Sequence, residues 1–271
     1  MRVLAPIEEI RKEGNSKMRP FNACVAVAAL CGLAGLSQAA TVDLRPGGVT
    51  SGVINGATFL RGDLRSAGTG VIQSFVRLSA ANQNVVQGYN TSGRPLRFDE
   101  NNSPNFTRDL QFGQIPTVTI AGTAYKEFLL DINQNAGPPS SWLSLDKVQI
   151  YSNAIPSLNP TNPSALGALR YDMDAGADSS VYLDYDLNSG SGQSDMAMYV
   201  PVSAFGGISN STYIYLYSMF GSTFANNDGF EEWAVQTPEV LVVPLPSAAI
   251  SGGIALAGMF GLGMIRRRAA R

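Results

Sequence analysis

Asp172, Asp174 and Asp178 fall within the run Asp172-Met173-Asp174-Ala175-Gly176-Ala177-Asp178. Carboxylate oxygens on a glycine-containing turn are the hard donors that calcium requires. The run has no Asn or Asp at the fifth position of an EF-type loop, and Leu183 stands where the twelfth-position Glu would be. The expectation is therefore a structural calcium at Asp172, Asp174 and Asp178, weighed against a plain solvated acidic face. Asp184, Asp186 and Asn188 form a second acidic set that an extended strand would project from one solvent-facing side.

Paired acids also raise the chemistry of glycoside cleavage, in which two carboxyl groups flank the sugar bond. Glu231 and Glu232 lie beside Trp233, with Asp228 just upstream and a second tryptophan at Trp142. Adjacent strand residues point to opposite faces, so Glu231 and Glu232 cannot serve one site, and Trp233 reads as a core residue. Tyr182, Tyr213, Tyr215 and Tyr217 offer a different chemistry. Alternate tyrosines on a sheet face form a flat platform for sugar rings, and Tyr213, Tyr215 and Tyr217 are the candidate ligand-binding residues. The same side chains also pair across strands without a ligand.

The chain contains no histidine, which excludes His-based triads, His-ligated zinc and His proton shuttles. It has no Gly-rich phosphate loop and no Gly-x-Ser-x-Gly elbow. The expectation is a protein without catalytic residues and without a required cofactor. From Thr41 to Arg170 the net charge is +2, and from Tyr171 to Val243 it is −10, with no basic residue in the second stretch. Nucleic acid is an unsuitable partner for such a surface.

These residues need a scaffold, and the sequence specifies strands. Twenty-eight glycines and fifteen prolines argue against a helical bundle. Period-two alternation marks Thr117–Ile120, Ala124–Ile132, Val181–Leu187, Met196–Val200 and Tyr213–Phe220. Turn-forming clusters at 101–105, 135–141, 159–164, 188–193 and 205–211 separate the runs. The prediction is an all-β, antiparallel, jelly-roll-like β-sandwich of ten to twelve strands, one domain over residues 40–242.

The two ends read as addresses. Residues 1–39 form a signal peptide: Arg11, Lys12, Lys17 and Arg19 precede the apolar run Phe21–Leu36, and Ser37 and Ala39 supply the small residues for cleavage between Ala39 and Ala40. Met18 is a plausible true start, and an N-terminal membrane anchor is the competing reading. Both cysteines, Cys24 and Cys31, fall inside this segment, so the exported body carries no disulfide. Near the C-terminus Ser247–Ile265 is uncharged for 19 residues, long enough to span a bilayer, and Arg266, Arg267 and Arg268 follow to fix its orientation.

Val243-Pro244-Leu245-Pro246, the apolar helix and the terminal arginines together resemble the PEP-CTERM sorting signal, in the variant reading Val-Pro-Leu-Pro-Ala. Leu245 replaces the acidic residue of the commoner form, and Ser247 stands where the variant has Ala. The resemblance implies export in a Gram-negative bacterium and processing by an exosortase-like membrane protease. It also implies a setting among exopolysaccharide genes. Segments including Glu127–Gln134, Leu183–Gly192 and Asp228–Trp233 resemble an ectodomain recurrent in uncharacterised proteins of that class, which carries no known activity. The expectation is a non-enzymatic surface or matrix protein, first held at the inner membrane with its body in the periplasm. A carbohydrate-binding module attaching to exopolysaccharide is the alternative, and a glycoside hydrolase a third.

Overall fold

The computed structural model describes residues 39–62, 72–79, 83–189 and 194–236. The signal segment before Ala39, the motif Val243–Pro246, the helix Ser247–Ile265 and the arginines Arg266–Arg268 lie outside the described residues. Among the described residues no helix is long and apolar enough to cross a membrane.

The body is all-β, with strands β1 (Thr41–Asp43), β2 (Ser51–Ile54), β3 (Ala57–Arg61), β4 (Ile72–Leu78), β5 (Val86–Tyr89), β6 (Leu110–Gln111) and β7 (Thr117–Ile120). They are followed by β8 (Thr123–Asp131), β9 (Trp142–Asn153), β10 (Ala168–Asp172), β11 (Ser180–Asp184), β12 (Met196–Pro201), β13 (Tyr213–Phe220) and β14 (Glu231–Gln236). The remaining regular structure is short 3₁₀ turns. Sheet I runs β1-β11-β9-β13-β5, with β10 and β6 pairing to β9 and β13. Sheet II runs β2-β3-β12-β8-β14-β4, with β7 pairing to β8. All pairings are antiparallel except β1 with β11, which is parallel.

Alternation places one face of each sheet inward. Val181 and Leu183 on β11, and Ile214, Leu216 and Phe220 on β13, meet Phe128 and Leu130 on β8, Met196, Met198 and Val200 on β12, and Trp233 on β14. These residues form one apolar layer between the sheets. Phe75 of β4 sits edge-on to Phe128 at 6.3 Å between ring centroids. The expected strands at 117–120, 196–200 and 213–220 coincide with β7, β12 and β13 to within a residue, and β8 is offset by one from the expected 124–132.

Two expectations are corrected. The alternation through Leu187 stops early: β11 ends at Asp184, whose Oδ1 accepts from the Asp186 amide at 3.1 Å and turns Tyr185–Leu187 into a 3₁₀ turn. The strand count also rises to fourteen among the described residues, and the longest strand, β9, has no unbroken period of two. Its inward positions are Leu143 and Leu145, then Val148 and Ile150. A register shift between Met219 and Phe220 on β13 skips Asp146, so a β-bulge moves the inward set from odd to even numbers. Asp146 is buried, and its Oδ2 accepts from Ser144 Oγ at 3.0 Å and the Ser222 amide at 2.7 Å.

Two hairpins are closed by residue pairs with positive φ, Asn55-Gly56 between β2 and β3 and Ala121-Gly122 between β7 and β8. Both central residues at positive φ mark the turn whose twist matches that of the flanking strands. Truncating the shared core should be costly while an outward position is tolerant. Phe128→Ala is expected to lose about 3–5 kcal/mol in urea unfolding, and Val53→Thr, at a position 61% exposed, to stay within about 0.5 kcal/mol of wild type.

Candidate functional site

The ends of β1 and β11 and the start of β9 meet at one margin of sheet I, where β1 pairs with β11 and β11 with β9. The chain leaves β1 through Asp43-Leu44-Arg45-Pro46-Gly47-Gly48, and Asp43 organises this loop. Its Oδ1 accepts from the Arg45 amide at 3.1 Å and Nε at 2.9 Å, and its Oδ2 from Arg45 Nη2 at 2.8 Å. The Asp43 carbonyl accepts from the Val49 amide at 2.8 Å. A Cβ on Gly48 would lie 2.1 Å from that same carbonyl oxygen, so only glycine closes the loop.

Held by Asp43, the Arg45 guanidinium enters a box of aromatic rings. Its carbon lies 4.4 Å from the Trp142 ring centroid, 4.5 Å from Phe224 and 5.2 Å from Tyr182. Phe224 stands edge-on to both Trp142 and Tyr182. A cation over several ring faces is attracted by their quadrupoles. Beside the box opens a cleft of about 430 Å³, lined by Asp43, Arg45, Trp142 and Asp184 with Pro46, Pro138 and the two loop glycines. It combines a partly exposed indole with the Asp43–Arg45 ion pair and Asp184, a set suited to a polyhydroxylated ligand with an apolar ring face.

Of the residues singled out in the sequence, Trp142, Tyr182 and Asp184 meet here, and the others lie elsewhere. Tyr213, Tyr215 and Tyr217 share a face, but the exposed ladder is corrected: Tyr215 and Tyr217 are buried and only Tyr213 is partly open. Loops at 90–109 and 153–167 cover the outer face of sheet I. Tyr215 Oη donates to the Ile155 carbonyl at 2.8 Å and accepts from the Leu158 amide at 3.3 Å. Tyr89 Oη donates to the Pro160 carbonyl at 2.8 Å. Phe98 stands edge-on to Tyr89 and Tyr217. Burial pushes the Tyr215 and Tyr217 hydroxyls up to about 12. The tyrosines build a second, smaller core because their hydroxyls reach loop backbone while their rings pack on each other.

Glu100 fastens the same cover. Its Oε1 accepts from the Tyr89 amide at 3.1 Å and its Oε2 from the Phe98 amide at 2.9 Å, and burial pushes its carboxyl up.

Asp172 and Asp174 are engaged by different neighbours, and Asp178 stands apart from both. Asp172 Oδ2 accepts from Gln149 Nε2 at 2.9 Å, and its Oδ1 from the Asp174 amide at 3.0 Å. Asp174 Oδ2 pairs with Lys147 Nζ at 2.6 Å, and that bond raises the lysine's proton affinity. Asp178 lines a separate polar groove of about 160 Å³ with Asp146, Ser179, Ser180, Ser222 and Thr223. Among the described residues no three His, Cys, Asp or Glu side chains gather as a metal-binding group.

Asp184, Asp186 and Asn188 do not share an outer face as expected: Asp184 is buried, while Asp186 Oδ2 accepts from the Gly137 amide at 3.0 Å. Glu231 and Glu232 point apart as the alternation required. Glu231 is buried, and Glu232 Oε2 pairs with Arg77 Nη2 at 2.6 Å. Trp233 is a core residue, with its Nε1 donating to Ser218 Oγ at 3.1 Å. Ala39 is exposed, and Ala40 is tied in through its amide to Ser179 Oγ at 3.2 Å.

Trp142 and Tyr182 were each singled out in the sequence, but their meeting around Arg45 escaped it because the members of the box come from four distant segments. Comparison with protein-family models, curated proteins and solved structures returns no match.

Arg45→Ala empties the box and leaves Asp43 without its partner, so a loss of about 2 kcal/mol is expected at pH 7. Arg45 holds the Asp43 carboxyl below its ordinary value. The stability linked to Asp43 is therefore present above the unfolded value, about 3.9, and is lost as pH falls through the lowered folded one. Thermal unfolding from pH 7 down to pH 3 should show the gap between wild type and Arg45→Ala narrowing in acid.

Proposed function

We propose that this chain is a non-catalytic surface protein that is exported, held in the membrane by its C-terminal helix and released by an exosortase-like enzyme. Its destination is then the cell surface or extracellular matrix of a Gram-negative bacterium. The observation that carries this reading is the ordered C-terminal series of Val243-Pro244-Leu245-Pro246, the uncharged stretch 247–265 and Arg266–Arg268, placed shortly after the last strand at Gln236. Positive residues following an apolar span stay in the cytoplasm, which leaves the sandwich outside.

At the other end, exposed Ala39 followed by β1 at Thr41 supports cleavage between Ala39 and Ala40. The body is free of cysteine, so it needs no oxidative folding. The sheet orders β4-β14-β8-β12 and β5-β13-β9-β11, with the chain alternating between sheets from β11 to β14, support a jelly-roll reading of the sandwich. Mass spectrometry of the protein recovered from its own cells tests the proposal. The expected product begins at Ala40 and lacks the arginine tail, and a cytosolic product retaining both ends would refute it.

A second reading, attachment to exopolysaccharide, is favoured by the cleft beside Arg45. Trp142 supplies the apolar surface on which a sugar ring stacks, and Asp184 and the Asp43–Arg45 pair flank it with groups for hydroxyls. Trp142→Ala should weaken retention of the full-length protein on immobilised exopolysaccharide at least tenfold, equivalent to about 1.4 kcal/mol. Tyr215→Ala reports only on folding, because that ring is covered.

A further inference from the structure

One end of the sandwich concentrates buried acid. Asp131 ends β8, Asp195 immediately precedes β12, Glu231 opens β14 and Asp184 ends β11. The first three lie on neighbouring strands of sheet II, where Leu130 pairs with both Met196 and Trp233. None of the four is more than 7% exposed. They sense one another: the charges of Asp131 and Asp184 raise the Asp195 carboxyl, and those of Asp195 and Asp131 raise Glu231, both on top of a large effect of burial.

Two of these carboxyls are incompletely satisfied. Asp195 Oδ2 accepts from the Ile132 amide at 2.8 Å, but its Oδ1 is buried with no partner. Glu231 Oε1 accepts from Gln134 Nε2 at 2.5 Å, but its Oε2 is buried with no partner. Ser194 Oγ, next to Asp195 in the chain, is buried and unpartnered as well. Neither Asp195 nor Glu231 joins an ion pair among the described residues.

Protonation would remove a charge, but the hydroxyl formed at Asp195 Oδ1 or Glu231 Oε2 would itself be a buried donor that needs an acceptor. A bound cation would satisfy lone pairs and charge together. The donors here are carboxylate, hydroxyl and amide oxygens, with no thiolate or imidazole, which selects calcium or magnesium over zinc.

We propose that Asp195 and Glu231 hold a hard divalent cation of the calcium type between the ends of β8, β12 and β14. No three acidic side chains among the described residues converge as a metal-binding group, so the two carboxylates provide the charge and neutral oxygens and water complete the shell. The site differs from Asp172–Asp178, where the carboxylates of Asp172 and Asp174 are engaged by Lys147, Gln149 and backbone amides. It stands whether or not the export reading holds.

The test uses the full-length chain in mild detergent, stripped with chelator, dialysed against calcium chloride and then freed of unbound metal. One retained calcium per chain by elemental analysis is expected. So is a rise in Tm of roughly 5–10 °C at a hundredfold excess over Kd. Asp195→Asn and Glu231→Gln should each abolish retention and shift, and Asp174→Asn should keep both. No retained calcium in wild type, an undiminished shift in both variants, or loss of the response in Asp174→Asn would overturn the proposal. Should both site variants fail to fold, calcium content decides alone: one ion in wild type and in folded Asp174→Asn supports the site, and none overturns it.

Discussion

Everything in this molecule hangs on two sheets burying their inner faces against each other. With no cysteine in the body, the apolar layer of β8, β12 and β14 against β9, β11 and β13 is what holds the strands in register. A slip of one residue would exchange every inward side chain for an outward one. The Asp146 bulge shows how tightly that demand acts: β9 changes phase partway along, and the extra residue is accommodated because Ser144 and Ser222 satisfy its buried carboxylate.

The two outer faces are handled differently. Sheet I is roofed by loops that anchor to tyrosine hydroxyls and to Glu100, so rings that alternation alone would leave in water become a second core. Asn90 prolongs the edge pairing after β5 ends. Its side chain accepts from the Leu216 amide and donates to the Ile214 carbonyl, taking the place of a backbone peptide. That arrangement fixes where the 90–109 loop begins.

Charge is segregated along the chain but interleaved in space. The stretch 171–243 has ten acids and no base, yet Asp174 meets Lys147 and Glu232 meets Arg77. Arg77 in turn lies 3.4 Å from the Phe106 ring centroid. Basic residues from the first half of the chain thus neutralise acids from the second, while Asp184, Asp195 and Glu231 are buried without a basic partner among the described residues and Asp178, Asp186 and Asp228 face solvent. The same principle shapes the Arg45 box, where a cation from the β1 exit is held by rings from β9, β11 and the β13–β14 connection.

Strand identity was legible in the sequence wherever alternation ran unbroken, as in β7, β8, β12 and β13, because a period of two is a local property of a half-buried strand. The opposed faces of Glu231 and Glu232 and the core role of Trp233 followed from the same geometry. The phase change in β9, the roof over Tyr215 and Tyr217, and the meeting of Asp43, Arg45, Trp142 and Phe224 were decided by tertiary structure alone. Each depends on which distant segment arrives at a given surface, and no spacing within one strand encodes that arrival.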